Sequence, residues 1–152
     1  MIPKHVAIIL DGNRRFAKRL MLEPWKGHAH GKDKVEQLIE WCMELGIKEL
    51  TLYSFSIQNF NRPKDEFNYL MDLMADAFKK FLNDERVKKY QIKFNVIGRY
   101  DMFPEHVANL IREVTEATKD HNGFKVNFAL AYGGREEITD AVKIIASKVA
   151  NG

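Results

Sequence analysis

Apolar residues in this chain fall into two alternating rhythms. Val6-Ala7-Ile8-Ile9-Leu10 is continuously apolar and stops at Asp11-Gly12-Asn13. A short run of that kind predicts a strand buried on both faces. From Lys32 to Leu45 the apolar positions Val35, Leu38, Ile39 and Cys42 recur at helical spacing, and Gly46 stands where a left-handed residue would end the helix. Leu50 to Phe55 predicts a second strand. Asn61-Arg62-Pro63-Lys64-Asp65-Glu66 reads as a helix start, with proline and acids at the positive end of the dipole. That helix runs to about Leu82 or beyond, with Phe67, Leu70, Met71, Met74, Phe78 and Phe81 along one broad stripe. Ile92 to Ile97 predicts a third strand and Pro104 to Lys119 a helix. After the turn at Asn122-Gly123, Phe124 to Tyr132 alternates as a fourth strand, and Glu136 to Val149 forms a last amphipathic helix.

Strands alternating with helices predict an α/β domain, a mostly parallel central sheet flanked by helices. Residues 1–152 read as one domain, long enough to bury roughly two-thirds of the surface of its unfolded chain, with no internal repeat or linker.

Composition narrows the class little. The formal charge is +3, and acids are interspersed with the bases, so no nucleic-acid footprint is present. Cys42 is the single cysteine, which excludes an internal disulfide and a thiolate zinc cluster and suits a reducing compartment. The apolar run at Val6 is too short for a signal-peptide core, and no segment approaches a membrane span. A cytoplasmic protein is expected.

Chemistry gathers after the strands. In an open parallel sheet ligands bind beyond the carboxyl ends of the strands, so the residues there are read as one surface. Asp11, Gly12, Asn13, Arg14 and Arg15 follow the first strand; Ser56, Gln58, Asn59 and Arg62 follow the second. Arg99 follows the third, and Gly133, Gly134 and Arg135 the fourth. One carboxylate among arginines and amides suits a diphosphate, with Mg²⁺ bridging the carboxylate and the phosphates. Neither a Walker motif nor a G-x-G-x-x-G fingerprint is present. Taken alone, Asp11-Gly12-Asn13 reads equally well as a helix cap and turn, His28 as a loop residue, Gly133-Gly134 as a turn, and the Phe67–Phe81 stripe as a packing face.

Taken together, the segments His5-Val6-Ala7-Ile8-Ile9-Leu10-Asp11-Gly12-Asn13-Arg14-Arg15-Phe16-Ala17-Lys18, Gly27-His28-Ala29-His30-Gly31, Gly46-Ile47, Leu50-Thr51-Leu52-Tyr53-Ser54-Phe55-Ser56, Asn59-Phe60-Asn61-Arg62-Pro63 and Tyr132-Gly133-Gly134-Arg135 resemble the cis-prenyltransferases. These are the undecaprenyl and dehydrodolichyl diphosphate synthases. The resemblance implies Mg²⁺-dependent condensation of isopentenyl diphosphate with an allylic diphosphate, farnesyl or geranylgeranyl, to give a polyprenyl diphosphate. It implies that Asp11 is the catalytic and metal-binding aspartate and that Gly12, Asn13, Arg14, Arg15, Phe16 and His28 line the allylic diphosphate site. Ser56 and Asn59 would lie near the reacting isopentenyl unit, with Phe55, Phe60 and Arg62 shaping the pocket. The Phe67–Phe81 helix would wall a hydrocarbon tunnel. A homodimer is implied for the full-length form, with peripheral membrane contact through the lipid product.

The chain departs from the family's pattern at several places. Asp-Gly-Asn-Arg-Arg replaces the bacterial Asp-Gly-Asn-Gly-Arg, Pro24 replaces an arginine, and Gln58 replaces a glutamate. Lys26 is a candidate substitute for the missing arginine. The family's Arg-x-[Ser/Gly]-Gly-Glu-x-Arg segment is absent, and with it expected contacts to isopentenyl diphosphate, a metal ligand and much of the dimer interface. Asn151-Gly152 reads as an interruption more than a natural terminus, so the domain is expected to be C-terminally incomplete. The alternatives are a binding subunit that holds an allylic diphosphate without catalysis, and an unrelated α/β phosphatase or nucleotide-binding module.

Overall fold

A computed structural model describes residues 1–151; Gly152 lies outside the described residues. Four parallel strands form the sheet: β1 (His5–Ile9), β2 (Glu49–Ser56), β3 (Ile92–Ile97) and β4 (Phe124–Tyr132), in the order β1-β2-β4-β3. The helices are α1 (Asn13–Arg19), α2 (Gly27–Glu44), α3 (Lys64–Asn83), α4 (Glu85–Lys89), α5 (Glu105–Ala117) and α6 (Gly134–Ala150). The parallel α/β architecture expected from the alternation is present.

The core joins one sheet face to the helices. Leu50, Leu52, Val126 and Leu130 are buried from the strands, as are Ile39 and Cys42 from α2, Met71 and Phe78 from α3, and Ile111 and Val114 from α5. Aromatic rings fill much of it: Phe81 stacks on Phe94 at 4.6 Å between centroids, and Phe55 meets Phe103 edge-on at 5.1 Å. Such pairs add to the area they bury.

One expectation is corrected, and one helix that forms as expected has no buried face. β1 was expected to be buried on both faces, but it is an edge strand, and His5, Ala7 and Ile9 are exposed. A continuous apolar run does not distinguish a central strand from an edge strand. The last helix forms, yet α6 has no buried residue, and Ile138, Val142, Ile145 and Val149 are exposed.

Three details position the site. Helix α2 starts five residues before the expected Lys32, so His28 sits in its first turn. Gly27 permits this, because a Cβ there would lie 2.0 Å from the Asn13 carbonyl oxygen. A Cβ on Gly31, one turn later, would meet the Asn13 side chain at 2.7 Å. The two glycines therefore let α2 press directly onto the start of α1. At the end of β2 the pairing with β4 shifts register between Tyr53 and Phe55 and again before Ser56. Irregularities of this kind re-aim side chains at the rim of a sheet.

Candidate functional site: a polar mouth on an apolar cavity

Between the sheet and helices α2 and α3 lies a cavity of about 910 Å³. Its mouth carries Asp11, Asn13, Phe16, His28, Ser56, Asn59 and Arg62; its depth carries Leu38, Leu70, Leu73, Met74, Ala77, Phe78, Phe81 and Phe128. The expected helix stripe therefore divides. Leu70, Met74, Phe78 and Phe81 reach the cavity, whereas Met71 is buried in the core and Phe67 packs beside Phe55 and Phe60.

The mouth is built from the ends of β1 and β2. Gly12 takes φ +94° as the N-cap of α1, a conformation that glycine adopts without steric cost. Its N–H donates to Asp11 Oδ1 at 2.5 Å, and Arg15 Nη2 donates to Asp11 Oδ2 at 3.0 Å. Asp11 remains 75% exposed, open to a ligand. Ser56 caps the 3-10 turn Ile57–Asn61 through a reciprocal capping box with Asn59, whose Oδ1 accepts from the Ser56 N–H at 3.0 Å. That bond turns the Asn59 amide nitrogen, a double donor, away from the backbone. The capping role and a binding role are thus compatible at Asn59.

Beneath the mouth lies a buried ionic cluster. Glu66, in the first turn of α3, is 1% exposed. Its Oε1 accepts from Arg62 Nη1 at 2.5 Å and lies 3.2 Å from His28 Nε2; its Oε2 is 3.7 Å from Arg14 Nη2. His28 Nε2 is also 3.1 Å from Arg62 Nη1. Burial on its own would raise the Glu66 pKa. The His28 hydrogen bond and the charges of Arg62 and Arg14 outweigh it, and the carboxyl is held below its ordinary range. For His28 burial is the largest influence and lowers the pKa below 6.5; the Glu66 bond opposes it, and the Arg62 and Arg14 charges reinforce it. His28 is therefore a neutral imidazole at neutral pH.

Glu66 was not among the sequence candidates. Read as a helix-start acid it needed no further role, but its i,i+4 relation to Arg62 was a visible clue. The other expected residues divide. Arg14 and Arg15 stand beside the mouth, tied to Glu66 and Asp11. Phe55 is buried and borders the cavity, whereas Phe60 packs against Phe55, Phe67 and Phe103 and does not line it.

The expectation that all four strand ends form one surface is corrected. Arg99 pairs with Asp140 of α6 at 2.6 Å, and Gly133, Gly134 and Arg135 open α6 without lining the cavity. Strand order accounts for Arg99, since β3 lies three strands from β1, roughly 14 Å at ordinary strand spacing; β4 adjoins β2, and strand order does not account for Gly133, Gly134 and Arg135. Gln58 is exposed, and Lys26 turns to Glu23 at 3.6 Å instead of the mouth.

The donor set bears on the metal. Among the described residues no group of three His, Cys, Asp or Glu side chains is placed to hold an ion. A lone accessible carboxylate does not make a protein cage. It does fit Mg²⁺, which keeps its waters and commonly takes one or two carboxylates plus substrate phosphates.

Comparison with known proteins gives the family. The family model described as "Putative undecaprenyl diphosphate synthase" matches residues 9–152. The chain belongs to this family. It is 51% identical over 151 residues to the tritrans,polycis-undecaprenyl-diphosphate synthase (geranylgeranyl-diphosphate specific) of Thermococcus kodakarensis, covering 99% of this chain and 57% of that protein. The Methanopyrus kandleri protein of the same name is 46% identical, with 99% and 56% covered. Among solved structures, lavandulyl diphosphate synthase from Lavandula x intermedia, in complex with dimethylallyl diphosphate, superposes with a TM-score of 0.88 at 36% identity. That match covers 98% of this chain and 63% of the plant enzyme. The chain thus spans a little over half the length of these curated undecaprenyl diphosphate synthase relatives.

Proposed function

We propose that this chain supplies the allylic-diphosphate site of a cis-prenyltransferase that condenses isopentenyl diphosphate with geranylgeranyl or farnesyl diphosphate. The observation that carries the reading is the continuity of one cavity from a polar, arginine-flanked mouth to an aliphatic and aromatic depth. A prenyl diphosphate has the same two parts. Burying its tail is favourable by about 4 kcal/mol per isoprene unit before ordering costs are subtracted.

In this reading Asp11 holds Mg²⁺, which when bound neutralises charge on the diphosphate. Arg14, Arg15, Asn13 and the first turn of α2 meet the phosphate oxygens. As the allylic carbon–oxygen bond breaks, negative charge accumulates on the leaving diphosphate, and fixed donors around it stabilise that transition state. His28, neutral and tied to Glu66 and Arg62, contributes hydrogen bonding without a further charge. Ser56 and Asn59 orient the incoming isopentenyl unit, while Phe16 and Phe55 flank the reacting carbons. The working form is a cytoplasmic homodimer that meets the membrane through its lipid product. No helix among the described residues is long and apolar enough to cross one.

A second reading rests on the absence of the β3 and β4 loop residues from the mouth, although condensation brings two diphosphates together. The chain would then hold the allylic diphosphate, and elongation would require a second chain. Incubation with radiolabelled isopentenyl diphosphate, geranylgeranyl diphosphate and Mg²⁺ tests both. Radiolabelled polyprenyl product supports the first reading. Binding of geranylgeranyl diphosphate without product supports the second, and absence of binding refutes both.

A further inference from the structure

The end of α1 exposes what a folded domain ordinarily hides. Leu20, Met21 and Leu22 are consecutive and exposed, Met21 at 95%. Their backbone is fixed. Leu22 N–H donates to the Ala17 carbonyl at 3.0 Å and Met21 N–H to the Lys18 carbonyl at 3.1 Å, the paired bonds that close a helix on a left-handed residue. Met21 is that residue, at φ +54°. Helix α2 ends with the same pair of bonds and places Gly46 there, at φ +75°. A left-handed methionine is strained where glycine is not. Met21 therefore carries strain and holds an apolar side chain in water, with no gain in burial.

Charge singles out the same corner. Residues 14–26 carry Arg14, Arg15, Lys18, Arg19 and Lys26 against the single acid Glu23, a net of +4 in a chain of +3. Arg14 and Arg15 are committed to Glu66 and Asp11, whereas Lys18 and Arg19 are exposed and form no ion pair among the described residues. Their place at the negative end of the α1 dipole accounts for two bases. It does not account for three exposed apolar residues beside them. Helix α6 makes the contrast: its apolar residues are exposed too, but its three bases are matched by three acids. An apolar tip flanked by unmatched bases complements an anionic lipid surface, with headgroups for the bases and the acyl boundary for the tip. A nucleic-acid backbone would answer the bases and leave the tip in water.

We propose that the α1 corner docks this chain directly on an anionic lipid surface, with Leu20, Met21 and Leu22 as the apolar tip and Lys18, Arg19 and Lys26 as the charges. Phe16, one turn before Leu20, borders the cavity mouth, so docking sets that mouth beside the headgroups. The contact is made by the chain itself, needs no bound lipid product, and stands whatever occupies the cavity.

The test is co-sedimentation of the full chain, without any prenyl diphosphate, with vesicles of phosphatidylcholine alone or mixed with phosphatidylglycerol. Wild type binds the mixed vesicles, loses them as salt rises, and leaves the neutral ones unbound. Each base at an anionic surface contributes about fivefold in partitioning, so Lys18→Gln with Arg19→Gln lowers it about twenty-fivefold. Met21→Gly lowers it about tenfold and at the same time raises Tm by about 2–4 °C, because glycine relieves the left-handed strain. A gain in stability paired with a loss of binding separates docking from a structural role. Lys143→Gln with Lys148→Gln, on α6, leaves partitioning within about twofold. The proposal is overturned by a wild-type chain that ignores the mixed vesicles, by α1 variants that bind as wild type does, or by a Met21→Gly variant that melts lower. Geranylgeranyl diphosphate binding is read separately, so failure here leaves the reading of the cavity intact.

Discussion

Glu66 anchors the mouth of the cavity, and removing its charge is the most informative single perturbation. It is almost fully buried and serves two cations and an imidazole at once: Arg62 at 2.5 Å, His28 at 3.2 Å and Arg14 at 3.7 Å. Removing one partner of a buried pair typically costs about 3–5 kcal/mol, because the remaining charge is left uncompensated. Here the Arg62 side chain keeps 22% of its exposure and Arg14 keeps 57%, so water can partly replace the carboxylate. The lower end, about 3 kcal/mol, is expected for Glu66→Ala. Glu66→Gln keeps the shape and one acceptor but converts a charge-assisted bond into a neutral one, at a cost of about 1–2 kcal/mol. For a domain of this size each kcal/mol moves Tm by about 2–4 °C. The alanine variant should therefore melt roughly 6–12 °C lower and the glutamine variant roughly 2–8 °C lower by circular dichroism at neutral pH. Both should also weaken geranylgeranyl diphosphate binding, since Arg62 and His28 lose the group that aims them. An alanine variant melting within about 1 °C of wild type would refute the argument, as would a glutamine variant indistinguishable from wild type while alanine is destabilised. The second result would assign the effect to packing and not to charge.

The same cluster predicts a pH dependence. His28 has a folded pKa below 6.5, so as pH falls from 6.5 the unfolded chain takes up the proton first and stability drops. Glu66, also lowered, adds a further loss below its ordinary 4.5. Denaturant titrations from pH 8 to 4 should show this decline, and His28→Gln should flatten its upper part. Gly27→Ala puts a Cβ on the Asn13 carbonyl oxygen; overpacking against backbone should cost about 3 kcal/mol or more and weaken diphosphate binding, both measurable on one purified variant. Asp11→Ala should leave Tm within about 2 °C, because the side chain is exposed and its partners are rehydrated. It should lower prenyl transfer by about a hundredfold or more, read as radiolabelled product.

Much of the fold was legible because the alternation between apolar runs and helical spacing is strong. Ile92–Ile97 and Phe124–Tyr132 are strands at the expected boundaries. The start of α2 was hidden because Gly27 and Gly31 look like loop residues, and only their fit against Asn13 shows why a helix uses them. Strand order was not legible at all: it puts Ile9 on an exposed edge and carries Arg99 away from the mouth to Asp140. Nothing local in the sequence encodes which strands become neighbours. Within the site, motif residues such as Asp11, His28 and Asn59 could be named in advance. The helix-start position of Glu66 did not separate it from an ordinary acid, and only its i,i+4 spacing from Arg62 pointed further.

The central claim is that one cavity receives both parts of a prenyl diphosphate. A crystal structure of the chain with Mg²⁺ and an unreactive thio analogue of geranylgeranyl diphosphate tests it directly. The account predicts the diphosphate beside Asp11, Asn13 and Arg15, with the tail running along Leu70 and Met74 toward Phe81. A tail lying outside the cavity on the exposed face of the sheet, or a diphosphate seated at Arg99 and Gly133, would contradict it.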